Sequence, residues 1–68
     1  MTNGREKKMN KVIANYNMTF NEGHFRKGNS YPYEYEDNND FIIVTTEEGK
    51  RAKFAFNEFH ILFSFLTI

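Results

Sequence analysis

From Val12 onward the chain alternates. Val12, Ala14, Tyr16, Met18 and Phe20 fall on one side of an extended backbone, and Lys11, Asn15, Asn17, Thr19 and Asn21 on the other, with Ile13 the exception. A period of two is the mark of a half-buried strand, here about nine residues long. Asn21 to Asn29 breaks the pattern with Gly23, Gly28, the Arg26-Lys27 pair and one apolar anchor, Phe25. Its length suits a folded excursion rather than a tight hairpin, with Phe25 tucked back under the sheet. Alternation returns from Ser30 to Glu36, where Tyr31, Tyr33 and Tyr35 share a face. Pro32 has no N–H to donate, so this strand belongs at an edge or carries a bulge. Asp37 to Asp40 is a polar turn.

Phe41 to Thr46 is β-branched except for its phenylalanine and apolar on both faces at its start, which predicts a central strand. Glu47-Glu48-Gly49-Lys50 reads as a hairpin turn in which glycine supplies a positive φ. Ala52, Phe54 and Phe56 then point inward against Arg51 and Lys53 outward. Asn57 to His60 reads as one helical or 3₁₀ turn capped by Asn57. The tail from Ile61 to Ile68 fits either period; its β-branched and aromatic content favours a strand. Short strands at about ten-residue spacing predict an all-β fold, most economically a small five-stranded barrel. The expected core is Val12, Ala14, Tyr16, Ile42, Val44, Phe54, Phe56 and Phe59.

With 68 residues, the chain holds one domain, read as a flexible basic leader over residues 1–10 and a barrel over 11–68. Met9 is an alternative start. At this size only about 60% of the unfolded surface is buried, so stability is marginal and rests on eight Phe and four Tyr. There is no cysteine, which excludes disulfides and thiolate metal sites. Asn, Lys, Ile, Phe and Tyr, all with AT-rich codons, make up nearly half of the chain. That bias is expected of a low-GC bacterium or its phage. No apolar run reaches the roughly 18 residues of a membrane span, and no secretory segment is visible, so a cytoplasmic location without membrane contact is expected.

The formal net charge is zero, but residues 1–11 carry +3 and residues 34–40 carry −4. The plainer reading of the basic end is a solubilising tail, and of Glu34, Glu36, Asp37 and Asp40 a solvated strand end. A sharper reading makes Glu34, Glu36 and Asp37 a docking patch for a basic partner. A calcium loop starting at Asp37 fails, because Phe41 and Ile42 stand where an oxygen ligand and a glycine are needed.

His24 and His60 lack a nucleophile in a suitable turn, and a structural role is expected for both. No glycine-rich phosphate loop is present, and a barrel this small has no cleft for paired carboxylates. The readings of the residues therefore favour no enzyme, no cofactor and no metal. The one set suited to stacking on bases is Tyr31, Tyr33 and Tyr35 with Arg26, Lys27 and Lys53, which would make a single-stranded nucleic-acid binder. Glu34 and Glu36 on the same strand would repel phosphate.

Phe25-x-Lys27-Gly28-x-x-Tyr31, Asp40-x-Ile42-Ile43, Glu48-Gly49-Lys50, Phe54 and Glu58-Phe59 together resemble a pattern in very small SH3-like barrel proteins of phages and prophages of low-GC bacteria. The similarity spans about residues 11–66. It implies a five-stranded SH3-like barrel with one 3₁₀ or helical turn before the last strand. It also implies a non-enzymatic interaction module that binds and modulates a host protein. The chain has no Trp and a single Pro, so the groove that holds Pro-rich peptides is not carried over. The last strand is apolar on both faces and ends without charge, which predicts a contact through Phe63, Phe65 and Ile68, most simply in a homodimer.

Overall fold

A computed structural model describes residues 10–36 and 40–66. The elements are β1 (Lys11–Ala14), β2 (Met18–Phe20), β3 (Gly23–Phe25), β4 (Ser30–Tyr35), β5 (Phe41–Thr45), β6 (Arg51–Ala55), α1 (Phe56–Leu62) and β7 (Phe63–Phe65). The protein is thus a small, mostly β fold with one short helix. Five strands form an antiparallel sheet in the order β6-β5-β4-β1-β7, and β2 and β3 form a separate hairpin. The sheet is not closed: among the described residues β6 and β7 are its two edges. The expected barrel had five strands; the β2–β3 hairpin comes from the end of the predicted first strand and the loop after it.

β4 changes partner along its length. Ser30, Tyr31 and Pro32 lie opposite β1, whereas Tyr33, Glu34 and Tyr35 lie opposite β5. This accommodates Pro32 away from a sheet edge. The Tyr33 N–H points to the β1 side, donating to the Asn10 carbonyl at 3.1 Å. By alternation, Pro32 presents its nitrogen to the β5 side, one residue beyond the end of that ladder.

The predicted first strand is split by a bend at Asn15 and Tyr16. The Asn15 side chain donates to the Ile61 carbonyl at 3.1 Å and accepts from the Ser64 hydroxyl at 2.8 Å. Asn17 accepts the Lys27 N–H through its side chain at 2.9 Å. Side-chain bonds of this kind compete with a strand ladder. Tyr16, expected in the core, is turned out and 52% exposed. Phe56, also expected inside, opens α1 instead of continuing β6, and the alternation that pointed it inward ends there. Ala55, not Asn57, is the N-cap, and the Glu58 carboxylate reaches back to the Ala55 N–H at 3.2 Å.

Instead of an extended tail from Ile61, the helix runs on to Leu62, and the backbone becomes extended only at Phe63. Phe59 and Phe63, four residues apart, stack with centroids 5.5 Å apart. Ile68 lies outside the described residues, as does Asp37.

The core holds Val12, Ala14, Phe25, Tyr31, Ile42, Val44, Ala52, Phe54, Phe59 and Phe63. Phe25 sits at its centre, its ring 4.9 Å from Tyr31 and 5.1 Å from Phe63, both edge-on. Full burial of such a ring contributes roughly 1.5–3 kcal/mol, and edge-to-face contact adds to it. The excursion after β1 is therefore part of the core.

Candidate interaction surface

The two ends of the molecule differ in chemistry. At one end the β2–β3 hairpin is fastened to the β5–β6 turn. Gly49 takes the turn at φ 86°, which leaves Glu47 and Glu48 facing the hairpin. The Glu47 N–H donates to the His24 carbonyl at 3.0 Å, and the His24 N–H donates to the Glu48 carboxylate at 2.8 Å. The His24 imidazole also contacts that carboxylate through Nδ1. Thr46 donates its hydroxyl to the Glu22 carbonyl at 3.1 Å. Gly23 adopts φ +138°, and a Cβ there would lie 2.2 Å from Glu48 Oε1 and 2.6 Å from Thr46 Oγ1. Only glycine lets the two turns approach so closely.

Tyr31 completes this clasp from inside. Its hydroxyl accepts the Arg26 N–H at 2.7 Å and donates to Glu47 at 2.8 Å. Burial, above all, raises its pKa, so the phenol stays protonated. The Tyr31 hydroxyl, and next Asn29, hold Glu47 below its ordinary carboxylate value. Glu48 is lowered chiefly by the His24 N–H.

At the other end, aromatic rings from α1, β7 and β4 form a continuous strip. Phe56 and His60 are neighbours on α1, four residues apart, with centroids 4.4 Å apart. His60 lies 6.1 Å from Phe65, Phe65 lies 5.6 Å from Tyr33, and Tyr33 lies 5.9 Å from Tyr35. Buried Phe59 supports the strip from below, 5.7 Å from Phe65 and 5.8 Å from Tyr33. Phe56, Phe65 and Tyr35 remain 43%, 45% and 48% exposed. Burial, then the neighbouring Tyr35, raises the Tyr33 pKa, so that phenol is neutral.

On the face of β4 opposite Tyr33 and Tyr35, Glu34 pairs with Arg51, and Glu36 pairs with Lys53 at 3.5 Å. The Lys53 ammonium also lies 4.7 Å above the Phe41 ring. Such exposed pairs contribute at most about 1 kcal/mol each, but they cancel the charge of two carboxylates in the predicted acidic patch.

The residues singled out in the sequence are thus redistributed. Phe65, Tyr33 and Tyr35, from two different sets, meet in one strip. Phe63 is core, not surface. Tyr31 is buried and spent on the clasp, about 13 Å along β4 from Tyr35 by the rise of a strand. The Arg26 and Lys27 backbones lie by the Tyr31 hydroxyl and Asn17, towards the clasped end, whereas Lys53 is held at Glu36. The base-stacking set is therefore spread over both ends. His60 and Phe56 were missed as surface partners; their i, i+4 spacing was the available signal once the helix was extended. Glu47 and Glu48 carried no local signal beyond a turn.

Among the described residues no group of three His, Cys, Asp or Glu could hold a metal ion. Among them, too, no helix is long and apolar enough to cross a membrane. The chain matches no protein-family model, no curated protein and no solved structure.

Proposed function

We propose that this chain is a non-enzymatic protein-interaction module on an SH3-like small barrel, a cytoplasmic phage or prophage accessory protein that binds and modulates a host protein. The strand order supports the barrel: a meander β4-β5-β6, then a helical turn, then a last strand beside the first. β4, shared between two partners, is the kind of strand that turns a sheet back on itself. The AT-rich composition supports the source.

The observation that carries the interaction reading is the aromatic strip Phe56–His60–Phe65–Tyr33–Tyr35, in which Phe56, Phe65 and Tyr35 stand half-exposed on a protein too small to leave rings outside its core without consequence. Contiguous exposed apolar surface marks interaction sites, and Tyr and Phe are enriched there. The placement of Tyr31, Arg26, Lys27 and Lys53 gives single-stranded nucleic acid no comparable surface.

Capture from a low-GC bacterial lysate tests the reading. Tagged wild type is expected to retain a protein that a Phe56→Ser, Tyr35→Ser double variant releases. Equal retention by the variant, or turnover of a small molecule with no protein retained, would overturn it.

A further inference from the structure

β4 is inside the sheet, yet its two sides are covered to different lengths. Towards β5 the pairing runs through Tyr33, Glu34 and Tyr35, and on to the Glu36 N–H, which donates to the Phe41 carbonyl at 3.1 Å. Towards β1 it reaches the Tyr33 N–H, which donates to the Asn10 carbonyl at 3.1 Å, and Asn10 is the first described residue. In an antiparallel strand, alternate residues direct their backbone groups to the same neighbour. The Tyr35 N–H and C=O therefore point to the β1 side, as those of Tyr33 do. Among the described residues nothing meets them. The chain itself leads to this place. Asn10 is already bonded to β4, so the residue before it enters along the β4 edge. The ladder sets Ile13 opposite Ser30, Val12 opposite Tyr31 and Lys11 opposite Pro32. Continued without a slip, it sets Asn10 opposite Tyr33, Met9 opposite Glu34, Lys8 opposite Tyr35 and Lys7 opposite Glu36.

We infer that residues 7–9, which lie outside the described residues, are the occupant of this edge: they prolong β1 and close the free end of β4. In that register Tyr35 exchanges both backbone hydrogen bonds with Lys8. Three residues at a strand's rise span about 10 Å, enough to reach Tyr35 and the carboxylate after it. The charges agree. Lys7 comes opposite Glu36, on the outer face where Glu36 already holds Lys53, and opposite charges across a ladder attract. Lys8 comes opposite Tyr35, whose half-exposed ring can take an ammonium on its face. The pairing does not depend on the interaction reading of the aromatic strip, but it limits it. With β4 closed by its own chain, a partner meets the strip through the side chains of Phe56, His60 and Phe65 and not by adding a strand at Tyr35.

Nuclear magnetic resonance on the full chain tests the pairing. Met9 and Glu34 form the close, non-hydrogen-bonded pair of this register, with Cα atoms about 4.5 Å apart, so a cross-peak between their α-protons is expected. The Tyr35 amide should exchange with solvent slowly. In a full-length Lys8→Pro variant, which has no N–H for the Tyr35 carbonyl, and in a chain that begins at Met9, it should exchange at least about tenfold faster. The His24 amide, bonded to Glu48 at the far end, reports whether each variant stays folded and should keep its wild-type rate. Absence of the Met9–Glu34 cross-peak, or a Tyr35 amide that exchanges at one rate in all three chains while His24 stays protected, overturns the inference. If either result appears while the Phe56→Ser, Tyr35→Ser variant still releases a captured protein, the interaction reading stands and only the strand pairing fails.

Discussion

The clasped end and the aromatic end are built from similar numbers of side chains, yet they resolve their chemistry in opposite ways. Around Tyr31, Glu47, Glu48 and His24 each polar group has a partner inside the same chain. Around Tyr33, Phe65, His60 and Phe56 rings touch one another, and Phe56 and Phe65 leave nearly half their surface to solvent. A domain of this size, with total stability of about 3–10 kcal/mol, does best to seal what it can. The rings left half outside are thus where the fold has most to gain from a partner, and the clasp is what it needs to stay folded.

The comparison breaks most visibly at Phe25, the ring that anchors the hairpin in the core. Phe25→Ala should lose about 3–5 kcal/mol, most of the available stability, and near-ultraviolet circular dichroism should show a largely unfolded chain. Gly23→Ala comes next. Its Cβ has no room against Thr46 and Glu48, and its φ is unfavourable for an L-residue, so a loss of about 2–3 kcal/mol is expected by urea denaturation.

Tyr31→Phe should cost about 1–2 kcal/mol, because it leaves the Arg26 N–H unpaired and Glu47 without its main donor. It also has a pH signature. Glu47 and Glu48 both sit below the ordinary value of 4.5 in the folded state. Their contribution is therefore complete above that value and is lost as pH falls through the lower folded-state values. The urea midpoint of the wild type should fall on acidification below 4.5, and the fall should be shallower in Tyr31→Phe. The smallest effect on folding belongs to the other end. Tyr35→Ser should change stability by less than about 0.5 kcal/mol while weakening association, measured by denaturation and sedimentation on the same samples.

Much of the fold is legible in the alternation of the chain. The runs at Tyr31 to Tyr35, Ile42 to Val44 and Ala52 to Phe54 have the inward residues that period two assigns to their first members, and Gly49 turns where a turn was expected. Phe25 is buried as the lone apolar residue of its loop suggested. The break at Asn15 is not legible, because alternation continues through Tyr16 while the bend is made by side-chain bonds to Ile61 and Ser64, nearly fifty positions away. Separation along the chain hides both ends as well. The clasp joins residues near 23 and 47, and the aromatic strip joins residues near 34, 58 and 65. Neither has a local pattern; each exists only once the hairpin and helix are in place. Tyr31, Tyr33 and Tyr35 look equivalent in sequence, yet the change of partner along β4 sends the first to the clasp and the last to the open surface.

Amide hydrogen exchange, followed residue by residue at low and at high protein concentration, tests the contrast between the two ends most directly. The His24 and Glu47 amides, tied across the clasp, should exchange slowly and at the same rate in both samples. The Phe65 amide, which has no partner among the described residues, should exchange at least tenfold faster than either. A Phe65 amide as well protected as those of the clasp, or clasp amides that exchange as fast as Phe65, would contradict the account.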